Sequence, residues 1–362
     1  MSLPIKIPFS TIRPALHALK PEDAHTVTIK CLQYGLTPRQ DVIDDERLYT
    51  NLWDLTFKNP VGLSAGFDKN AEAIKGLFDL GFGAVEVGTV TPNPQAGNPK
   101  PRVFRDVKND AVINRMGFPN KGLRVFKENV EKYLTHKSEN KGVLGLNIGM
   151  NKDQTEPAED YCNLINALNR YADYFTINIS SPNTPGLRNL QQRENLLPLI
   201  EKVRAARDKL SDENTPPLLI KLAPDLKEDE QGDVAKSLME AGIDGIILSN
   251  TTLARPDFLP EGFRGEMGGL SGKPLTEKST DIIRNFYKLT KGTIPIIGVG
   301  GISSAQDAYD KICAGASLIQ IYSGLIFQGP DLIYDINKGL LDLLDKDGFN
   351  NLSEAVGSKN KI

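Results

Sequence analysis

A chain of 362 residues with 40% hydrophobic content can bury one large core, and its formal net charge of −3 gives no basic footprint for nucleic acid, which is not expected as a partner. Cys31, Cys162 and Cys313 are too few and too scattered for a disulfide framework or a CxxC metal site, so we expect a reducing compartment and no structural metal. No apolar run approaches the ~20 residues that span a bilayer.

Residues 1 to about 40 are expected to form two short amphipathic helices. Apolar side chains recur at helical spacing at Ile12, Leu16 and Leu19 and again from Ala24 onward, and Pro21 begins the second stretch. From the residues alone, this pair either caps the domain that follows or packs on a partner. We therefore divide the chain into a helical segment, 1–40, and one large domain, 41–362.

Eight short β-rich runs follow, most of them almost continuously apolar, as parallel strands covered on both faces should be. They occupy residues 59–66, 83–90, 142–149, 174–181, 217–224, 244–251, 294–301 and 317–324. Amphipathic helical stretches lie between them, among them 70–80, 156–172, 190–210, 228–241, 276–290 and 303–313. Eight alternating units predict an α/β fold of the TIM (β/α)8 barrel type, although a doubly wound open sheet would alternate in the same way.

Each predicted strand ends in small or polar residues, and the stretch TINISSPNTPGL at 176–187 is an example. Pro182 and Pro185 cannot continue the ladder, so the strand stops and leaves Ser181 near its end. Taken singly, such residues cap helices or form turns. Because the carboxyl ends of barrel strands converge on the face that carries chemistry, eight polar ends predict an active site there.

Glycines follow the seventh strand in the stretch GVGG at 298–301. Bare backbone N–H groups at the start of a helix suit a phosphate, and the loops after strands seven and eight form the usual phosphate site of a barrel. We therefore predict a ligand that carries a phosphate. The stretch GGLSGKPL at 268–275 either adds a backbone donor or forms a flexible surface loop.

Two lysines lie at or just past strand ends. Lys221 is flanked by apolar residues in the fifth strand, so it should point into the barrel and face an anion such as a reduced flavin; a salt bridge to Asp225 is the structural alternative. Lys69, in the stretch AGFDKN, is either a ligand residue or a surface lysine.

Asparagines complete the polar set, at positions 114, 178, 183 and 250. A carboxamide both donates and accepts hydrogen bonds without adding charge, which suits a small planar heterocyclic acid. Asn178 and Asn250 belong to apolar strand runs, where an amide without a partner is costly.

The motifs NPVGLSAGFDKN, PRVFR, INRMGFPN, NISSPNTPGLRNLQ, IKLAPDL, GIDGIILSNTT, GGLSGKPL, IPIIGVGGI and GASLIQIYSGL resemble, in order, those of dihydroorotate dehydrogenases. More narrowly, the chain resembles the membrane-associated, quinone-reducing class 2 of that family. The resemblance runs from about residue 13 to near the C-terminus. It implies an FMN enzyme that oxidises (S)-dihydroorotate to orotate in pyrimidine biosynthesis.

The resemblance also assigns catalytic roles. Ser181 matches the base that removes the C5 proton while hydride passes from C6 to flavin N5; a soluble class 1 enzyme would carry cysteine there. Thr184 matches a residue that relays the proton with an ordered water, and Phe118 matches the aromatic that closes over that path. Pro119 stands where many relatives carry asparagine, which leaves the shape of this lid open.

The remaining site residues are likewise implied by the resemblance. The residues expected to contact substrate are Lys69, Asn114, Asn178, Asn183, Asn250 and Thr251. Those expected to contact FMN are Ala65, Gly66, Lys69, Thr89, Asn147, Asn178, Lys221, Ser249, Ser271, Gly272, Gly300, Gly301, Tyr322 and Ser323. Those expected to line a quinone tunnel, formed with the N-terminal helices at a membrane surface, are His25, Arg105 and Tyr322.

Two other functions fit the residues before the resemblance is used. One is a phosphate-binding aldolase in which Lys221 forms a Schiff base, and the other is an inactive barrel that binds a metabolite. As for location, the resemblance favours a peripheral protein of the bacterial inner membrane, at its cytoplasmic face, because no Arg-rich, acid-poor transit segment precedes the helices.

Overall fold

The computed structural model describes residues 8–37, 40–135, 142–210 and 215–360, and its centre is a closed barrel of parallel strands. The barrel strands, in chain order, are β1 (Val61–Leu63), β2 (Ala84–Val90), β3 (Val143–Ile148), β4 (Tyr174–Asn178), β5 (Leu218–Leu222), β6 (Gly245–Leu248), β7 (Ile296–Val299) and β8 (Ala316–Ile321). Each falls in one of the predicted runs, with β8 beginning one residue earlier. The predicted TIM (β/α)8 barrel is confirmed.

The strands follow one another around the barrel in chain order, and β8 closes it by pairing with β1, where Gln320 lies beside Gly62. Closure leaves no open edge, which excludes the doubly wound sheet. The strands are buried along nearly their whole length, since side chains fill the inside and helices cover the outside. This two-sided burial explains the continuous apolar runs.

Helices cover the outside of the barrel, with at least one after each strand. The α-helices are α1 (Phe9–Ala18), α2 (Pro21–Gln33), α3 (Ile74–Phe78), α4 (Gly122–Thr135), α5 (Pro157–Leu168), α6 (Arg193–Asp208), α7 (Glu228–Ala241), α8 (Glu261–Arg264), α9 (Thr276–Leu289), α10 (Ala305–Cys313), α11 (Ser323–Gln328), α12 (Asp331–Asp347) and α13 (Leu352–Ala355). Their amphipathic pattern determines their orientation. In α9, for example, Ile283 and Phe286 are buried while Asp281 and Lys288 are exposed.

The helix after β1 is shorter than predicted, since α3 begins at Ile74 whereas the helical pattern starts at residue 70. The buried Asp68 carboxylate accepts the backbone N–H groups of Glu72 at 2.9 Å and Ala73 at 2.7 Å. These hydrogen bonds hold the preceding segment in a turn, which competes with the first helical turn.

A short hairpin closes the end of the barrel where the strands begin. Its strands, Thr50–Leu52 and Leu55–Phe57, pair antiparallel. Phe57 packs with Tyr174 and other residues from the starts of barrel strands, and Trp53 Nε1 donates to the carbonyl oxygen of Asp244 at 2.7 Å. A ligand-binding site is therefore expected at the opposite end, where the strands finish.

A second small sheet lies at the carboxyl ends of the barrel strands and was not predicted. It comprises Val103–Asp106, Ala111–Asn114 and Gly269–Gly272, with antiparallel pairing. Ser271 pairs with Val112, so the stretch GGLSGKPL is ordered sheet and the flexible-loop alternative is wrong. This sheet, the accessory sheet, forms one wall over the barrel mouth.

The two N-terminal helices, α1 and α2, pack against this same end. Glu22 of α2 forms an ion pair with Arg102 at 2.7 Å, and Arg105 Nη2 donates to the carbonyl oxygen of His17 at 2.6 Å. Leu32 is buried, and Gly76 approaches it so closely that a Cβ there would lie 2.3 Å from its carbonyl oxygen. No helix within the described ranges has both the length and the apolarity to cross a bilayer.

Candidate active site

A single cavity of about 640 Å³ extends from the barrel mouth to α1 and α2. Its size is that of a typical small-molecule site. All the site residues predicted from the sequence line it except Thr184, Asn147 and Gly272. Thr184 is buried beside Ser181 in the chain, and Asn147 is buried behind Thr89. The polar strand ends and the N-terminal helices therefore share one space.

Ser181 lies three residues past the end of β4, where Pro182 prevents the strand from continuing. Its side chain faces the cavity but the residue is only 6% exposed. Its Oγ accepts the backbone N–H of Asn183 at 3.2 Å, and this donor would stabilise negative charge on the oxygen. The position suits a proton acceptor held away from bulk water.

Carboxamides and hydroxyls surround Ser181 in a hydrogen-bonded set. Asn183 Nδ2 donates to Asn114 Oδ1 at 3.2 Å, which connects the loop after β4 to the accessory sheet. Asn250 Nδ2 donates to Ser180 Oγ at 2.9 Å. The neighbouring Thr251 Oγ1 is buried and has no hydrogen-bond partner in the described part of the chain. Such an atom indicates a ligand that supplies the partner.

Phe118 forms part of the opposite wall, on the segment that follows the accessory strand Ala111–Asn114. Its φ of 51° is in the left-handed region, next to Gly117 at 70°. Gln95 and Asn120 donate side-chain hydrogen bonds to its carbonyl oxygen, at 3.4 and 2.9 Å. This support fixes an aromatic side chain against the cavity, and Pro119 beside it also lines the space.

Lys221 points into the barrel, and the predicted alternative of a salt bridge to Asp225 is wrong. Its Nζ donates to Ser64 Oγ at 2.9 Å, whereas Asp225 pairs with Arg188 at 2.9 Å and Lys278 at 2.6 Å. Burial lowers the pKa of Lys221, and the charge of Glu86 opposes that shift. A buried ammonium at the cavity wall favours an anionic ligand.

Lys69 is half-buried, and its Nζ donates to the carbonyl oxygen of Gly66 at 2.6 Å. Burial lowers the pKa of Lys69 to about 8, while the nearby acids Asp68 and Glu22 raise it. The side chain therefore changes its charge just above neutral pH, at the wall of the cavity.

Gly300 and Gly301 follow β7 and have positive φ angles, 122° and 70°. A Cβ on Gly301 would lie 2.1 Å from Thr276 Oγ1, and one on Gly300 would lie 2.9 Å from Ser279. Both positions therefore require glycine. They form a bare backbone surface at the cavity, next to Ser323 at the start of α11.

A buried carboxylate inside the barrel, Glu86 on β2, was missed by the sequence reasoning. It accepts hydrogen bonds from four side chains: Asn147 at 2.7 Å, Tyr174 at 3.0 Å, Thr176 at 3.1 Å and Gln320 at 2.9 Å. Asn147 Oδ1 in turn accepts from Thr89 at 2.6 Å. The sequence did contain a signal for this residue, because Glu86 lies in the apolar run GAVEVGTV. A buried carboxylate there needs hydrogen-bond donors from neighbouring strands.

We expect Glu86→Gln to lower the free energy of unfolding by about 2–5 kcal/mol, because the new amide group leaves one or two of the four donors without an acceptor. Thermal unfolding of the purified protein measures the loss. Glu128→Gln on the exposed face of α4 is the control and should change stability by less than about 0.5 kcal/mol. Equal stability of the two variants would contradict the importance of this network.

The three predicted tunnel residues meet where the cavity reaches α1 and α2. His25 Nε2 lies 2.6 Å from the carbonyl oxygen of Phe67, and burial lowers the pKa of His25 to about 3, so its ring is neutral. Tyr322 donates to the carbonyl oxygen of Gly66 at 3.2 Å, and Arg105 is bound to α1 through His17. Apolar side chains of both helices, Ile12, Leu16 and Val27, line the same end, together with Leu36 just past α2.

A closed (β/α)8 barrel with a cavity at its carboxyl face, into which polar strand ends project, is the architecture of a barrel enzyme. The family model for dihydroorotate dehydrogenase matches residues 47–344. A dihydroorotate dehydrogenase (quinone) of Rhodospirillum rubrum is 49% identical over 348 residues, covering 96% of this chain and 94% of its own. The chain belongs to the dihydroorotate dehydrogenase family, in its quinone-dependent class.

Two further comparisons agree. The mitochondrial dihydroorotate dehydrogenase (quinone) of Mus musculus is 47% identical over 350 residues, covering 96% of this chain and 89% of its own. A crystal structure of DHODH from Eimeria tenella in complex with ferulenol superposes with a TM-score of 0.91 at 41% identity, covering 96% of this chain and 98% of the other. The likeness thus extends over nearly the whole of each chain.

Proposed function

We propose that this protein oxidises (S)-dihydroorotate to orotate in pyrimidine biosynthesis, with FMN as cofactor and a quinone as electron acceptor. The observation that carries the proposal is the single cavity, which has Ser181 and Lys221 at the barrel mouth and apolar residues of α1 and α2 at its other end. A polar substrate and an apolar acceptor need different surroundings, and this cavity offers both.

The residues present fit FMN. Gly300, Gly301 and Ser323 would hold its phosphate on bare backbone, since side chains at the two glycines are excluded sterically. Gln320 Oε1 lines the cavity, is buried, and has no hydrogen-bond partner in the described ranges, so a polar ring edge would satisfy it. When bound, FMN supplies the acceptor for the hydride from C6. Asn147 and Gly272 were also expected to contact FMN but lie outside the cavity lining. The other proposed FMN contacts are Ala65, Gly66, Lys69, Thr89, Asn178, Lys221, Ser249, Ser271 and Tyr322.

Lys221 holds a positive charge at the cavity wall, where it would stabilise negative charge on a reduced cofactor. The opposite charge of Glu86 partly offsets the effect of burial on the pKa of Lys221. Ser64 Oγ accepts from the ammonium at 2.9 Å and fixes its position at the end of β1.

Ser181 is the proposed base that removes the C5 proton of dihydroorotate. Serine is a weak base, so position must supply much of the effect; in favourable systems, alignment of reacting groups lowers a barrier by up to ~10 kcal/mol. Thr184 and Phe118 are the proposed proton relay and the lid over its path. Because Thr184 is buried and lies outside the cavity lining, the relay would run from Ser181 through an ordered water and Thr184 behind the cavity wall before the proton is released to solvent.

Five polar side chains besides Lys69 are proposed to bind dihydroorotate: Asn114, Asn178, Asn183, Asn250 and Thr251. The Asn183–Asn114 and Asn250–Ser180 hydrogen bonds hold the amides in place before substrate arrives. The unpartnered hydroxyl of Thr251 gains a partner on binding. The ammonium of Lys69 matches the substrate carboxylate.

Lys69 gives a pH prediction. Below pH 8 its ammonium is present and attracts the anionic substrate; above pH 8 the charge is lost, and kcat/KM should fall by up to about tenfold per pH unit. The measurement is the rate of flavin reduction at low dihydroorotate concentration from pH 6 to 10. Lys69→Arg should shift this fall to higher pH, since arginine keeps its charge. A fall at the same pH in both proteins would assign it to another group.

The apolar end of the cavity is the proposed quinone tunnel, lined by His25, Arg105 and Tyr322. Several apolar side chains on α2 and just after the ends of α1 and α2 are exposed to solvent: Leu19, Val27, Tyr34 and Leu36. They would rest in a membrane surface, from which an apolar quinone could enter. We propose a peripheral protein on the cytoplasmic face of a bacterial inner membrane, with residues 1–40 as the membrane and quinone domain and 41–362 as the catalytic domain.

The colour of the purified protein tests the proposal. It should be yellow, lose its oxidised-flavin absorption under anaerobic conditions when dihydroorotate is added, and regain it with quinone. A colourless protein that borohydride traps on a carbonyl substrate would instead support Schiff-base chemistry at Lys221. Bound flavin that dihydroorotate cannot bleach would contradict the proposed dehydrogenase.

A further inference from the structure

Lys311, on α10, is a completely buried lysine that the proposed mechanism does not use. Its Nζ donates to three oxygens of α9: the carbonyl of Thr276 at 3.1 Å, Ser279 Oγ at 2.5 Å and Thr280 Oγ1 at 2.8 Å. Three acceptors match the three N–H groups of an ammonium. Within the described ranges, it forms no ion pair with a carboxylate.

Two of the three residues that accept from Lys311 also contact the glycine pair at the cavity. Ser279 does so through the same hydroxyl, and Thr276 does so through its hydroxyl, whereas its carbonyl accepts from the lysine. Ser279 Oγ lies 2.9 Å from the carbonyl oxygen of Gly300, and Thr276 Oγ1 lies 2.9 Å from that of Gly301. Ser279 Oγ accepts a hydrogen bond from Lys311, so its single proton can go to the carbonyl oxygen of Gly300 at 2.9 Å or to that of Thr276 at 3.0 Å. The Thr276 carbonyl already accepts from Lys311 and Thr280, which favours the Gly300 carbonyl. Lys311 thus acts on the turn after β7 through the start of α9.

Charge gives a second reason to connect Lys311 with a ligand. An ammonium in a buried site costs free energy unless an anion compensates for it. Burial lowers the pKa of Lys311 to about 7, and the charges that oppose this, Asp307 and Asp310 on α10 and Asp281 on α9, do not restore its usual value. A phosphate bound at Gly300 and Gly301 would add negative charge near the lysine and so favour its charged form.

We propose that Lys311 is a positioning residue for the phosphate of the cofactor. Through Ser279 and Thr276 it fixes the Gly300–Gly301 turn, and its charge lies behind the backbone that would receive the phosphate. This inference rests on the proposed FMN site. It predicts a role in holding the phosphate end of the flavin and no role toward the flavin ring.

Comparison of FMN with riboflavin, which lacks the phosphate, tests this role. In the full-length protein, Lys311→Met should weaken FMN binding by roughly tenfold or more, the effect of lost charge-assisted hydrogen bonds, and leave riboflavin binding within about twofold of wild type. Flavin fluorescence during titration and during release from the loaded protein gives both values. Lys288→Met, which removes an exposed charge from α9, is the control and should change neither.

Ser279→Ala is the second variant, since it breaks the connection to Gly300 and leaves the lysine in place. It should weaken the binding of FMN and leave the binding of riboflavin near that of wild type. The same comparison can therefore be made if Lys311→Met does not yield purified protein. Two results would overturn the role of Lys311 but not the proposed cofactor. One is equal weakening of FMN and riboflavin binding, and the other is FMN binding as tight as wild type in both variants. A wild-type protein that binds no flavin would overturn the proposed cofactor and this role with it.

Discussion

Ser181→Ala is expected to retain its flavin and to reduce it with dihydroorotate about 10²- to 10⁴-fold more slowly than wild type, the usual contribution of a positioned general base. The hydroxyl is 6% exposed and already accepts a backbone N–H from Asn183, so no solvent group can easily replace it. Anaerobic stopped-flow absorbance measures flavin reduction directly and separates it from the later reaction with quinone.

Ser180→Ala is the matched control for Ser181→Ala. Ser180 Oγ accepts from Asn250 Nδ2 at 2.9 Å and does not line the cavity. Its loss should weaken dihydroorotate binding through Asn250 while slowing flavin reduction at saturating substrate far less than Ser181→Ala. If the two variants reduce flavin equally fast at saturation, Ser181 is not the base.

The barrel could be predicted from the sequence because each of its strands is buried on two faces. A run such as IPIIGVGG can be recognised without knowing its neighbour, since continuous apolar residues ending in glycine indicate a covered parallel strand. The accessory sheet could not be predicted in this way. Its strand Gly269–Gly272 pairs with Ala111–Asn114, more than 150 residues earlier, and each strand has only four residues. Such short strands form because a distant segment pairs with them, and the local sequence pattern carries no information about that segment.

The position of the site was predictable for the same reason, because the carboxyl ends of the strands must converge in a barrel. The partners of buried charges were not. Lys221 was paired with the nearby Asp225 in one alternative, yet the barrel places Ser64, from another strand end, at its ammonium. Glu86, in an apolar run, and Lys311, on an amphipathic helix with two aspartates, were overlooked because a buried charge shows its function only when its hydrogen-bond partners are known.

The N-terminal helices allow a sharper test of the quinone tunnel than their removal does. Deleting residues 1–40 should impair quinone turnover and spare flavin reduction by dihydroorotate. However, Leu32 is 3% exposed and packs against Gly76 beside β1, so deletion also uncovers part of the core. A substitution that fills the cavity without removing this contact separates the two effects.

Ala15→Trp on α1 is that substitution, since Ala15 lines the cavity. We expect it to lower kcat/KM for a long-chain quinone by roughly tenfold or more, as a misfit of about 1.4 kcal/mol would, while flavin reduction by dihydroorotate stays near the wild-type rate. Ala18→Trp places the same side chain one turn further along α1, at an exposed position that does not line the cavity, and should leave both half-reactions unchanged. Because the two variants share helix, residue type and added volume, only access to the cavity distinguishes them. A loss of quinone turnover in both would assign the effect to the helix surface, and a loss in neither would place the quinone elsewhere.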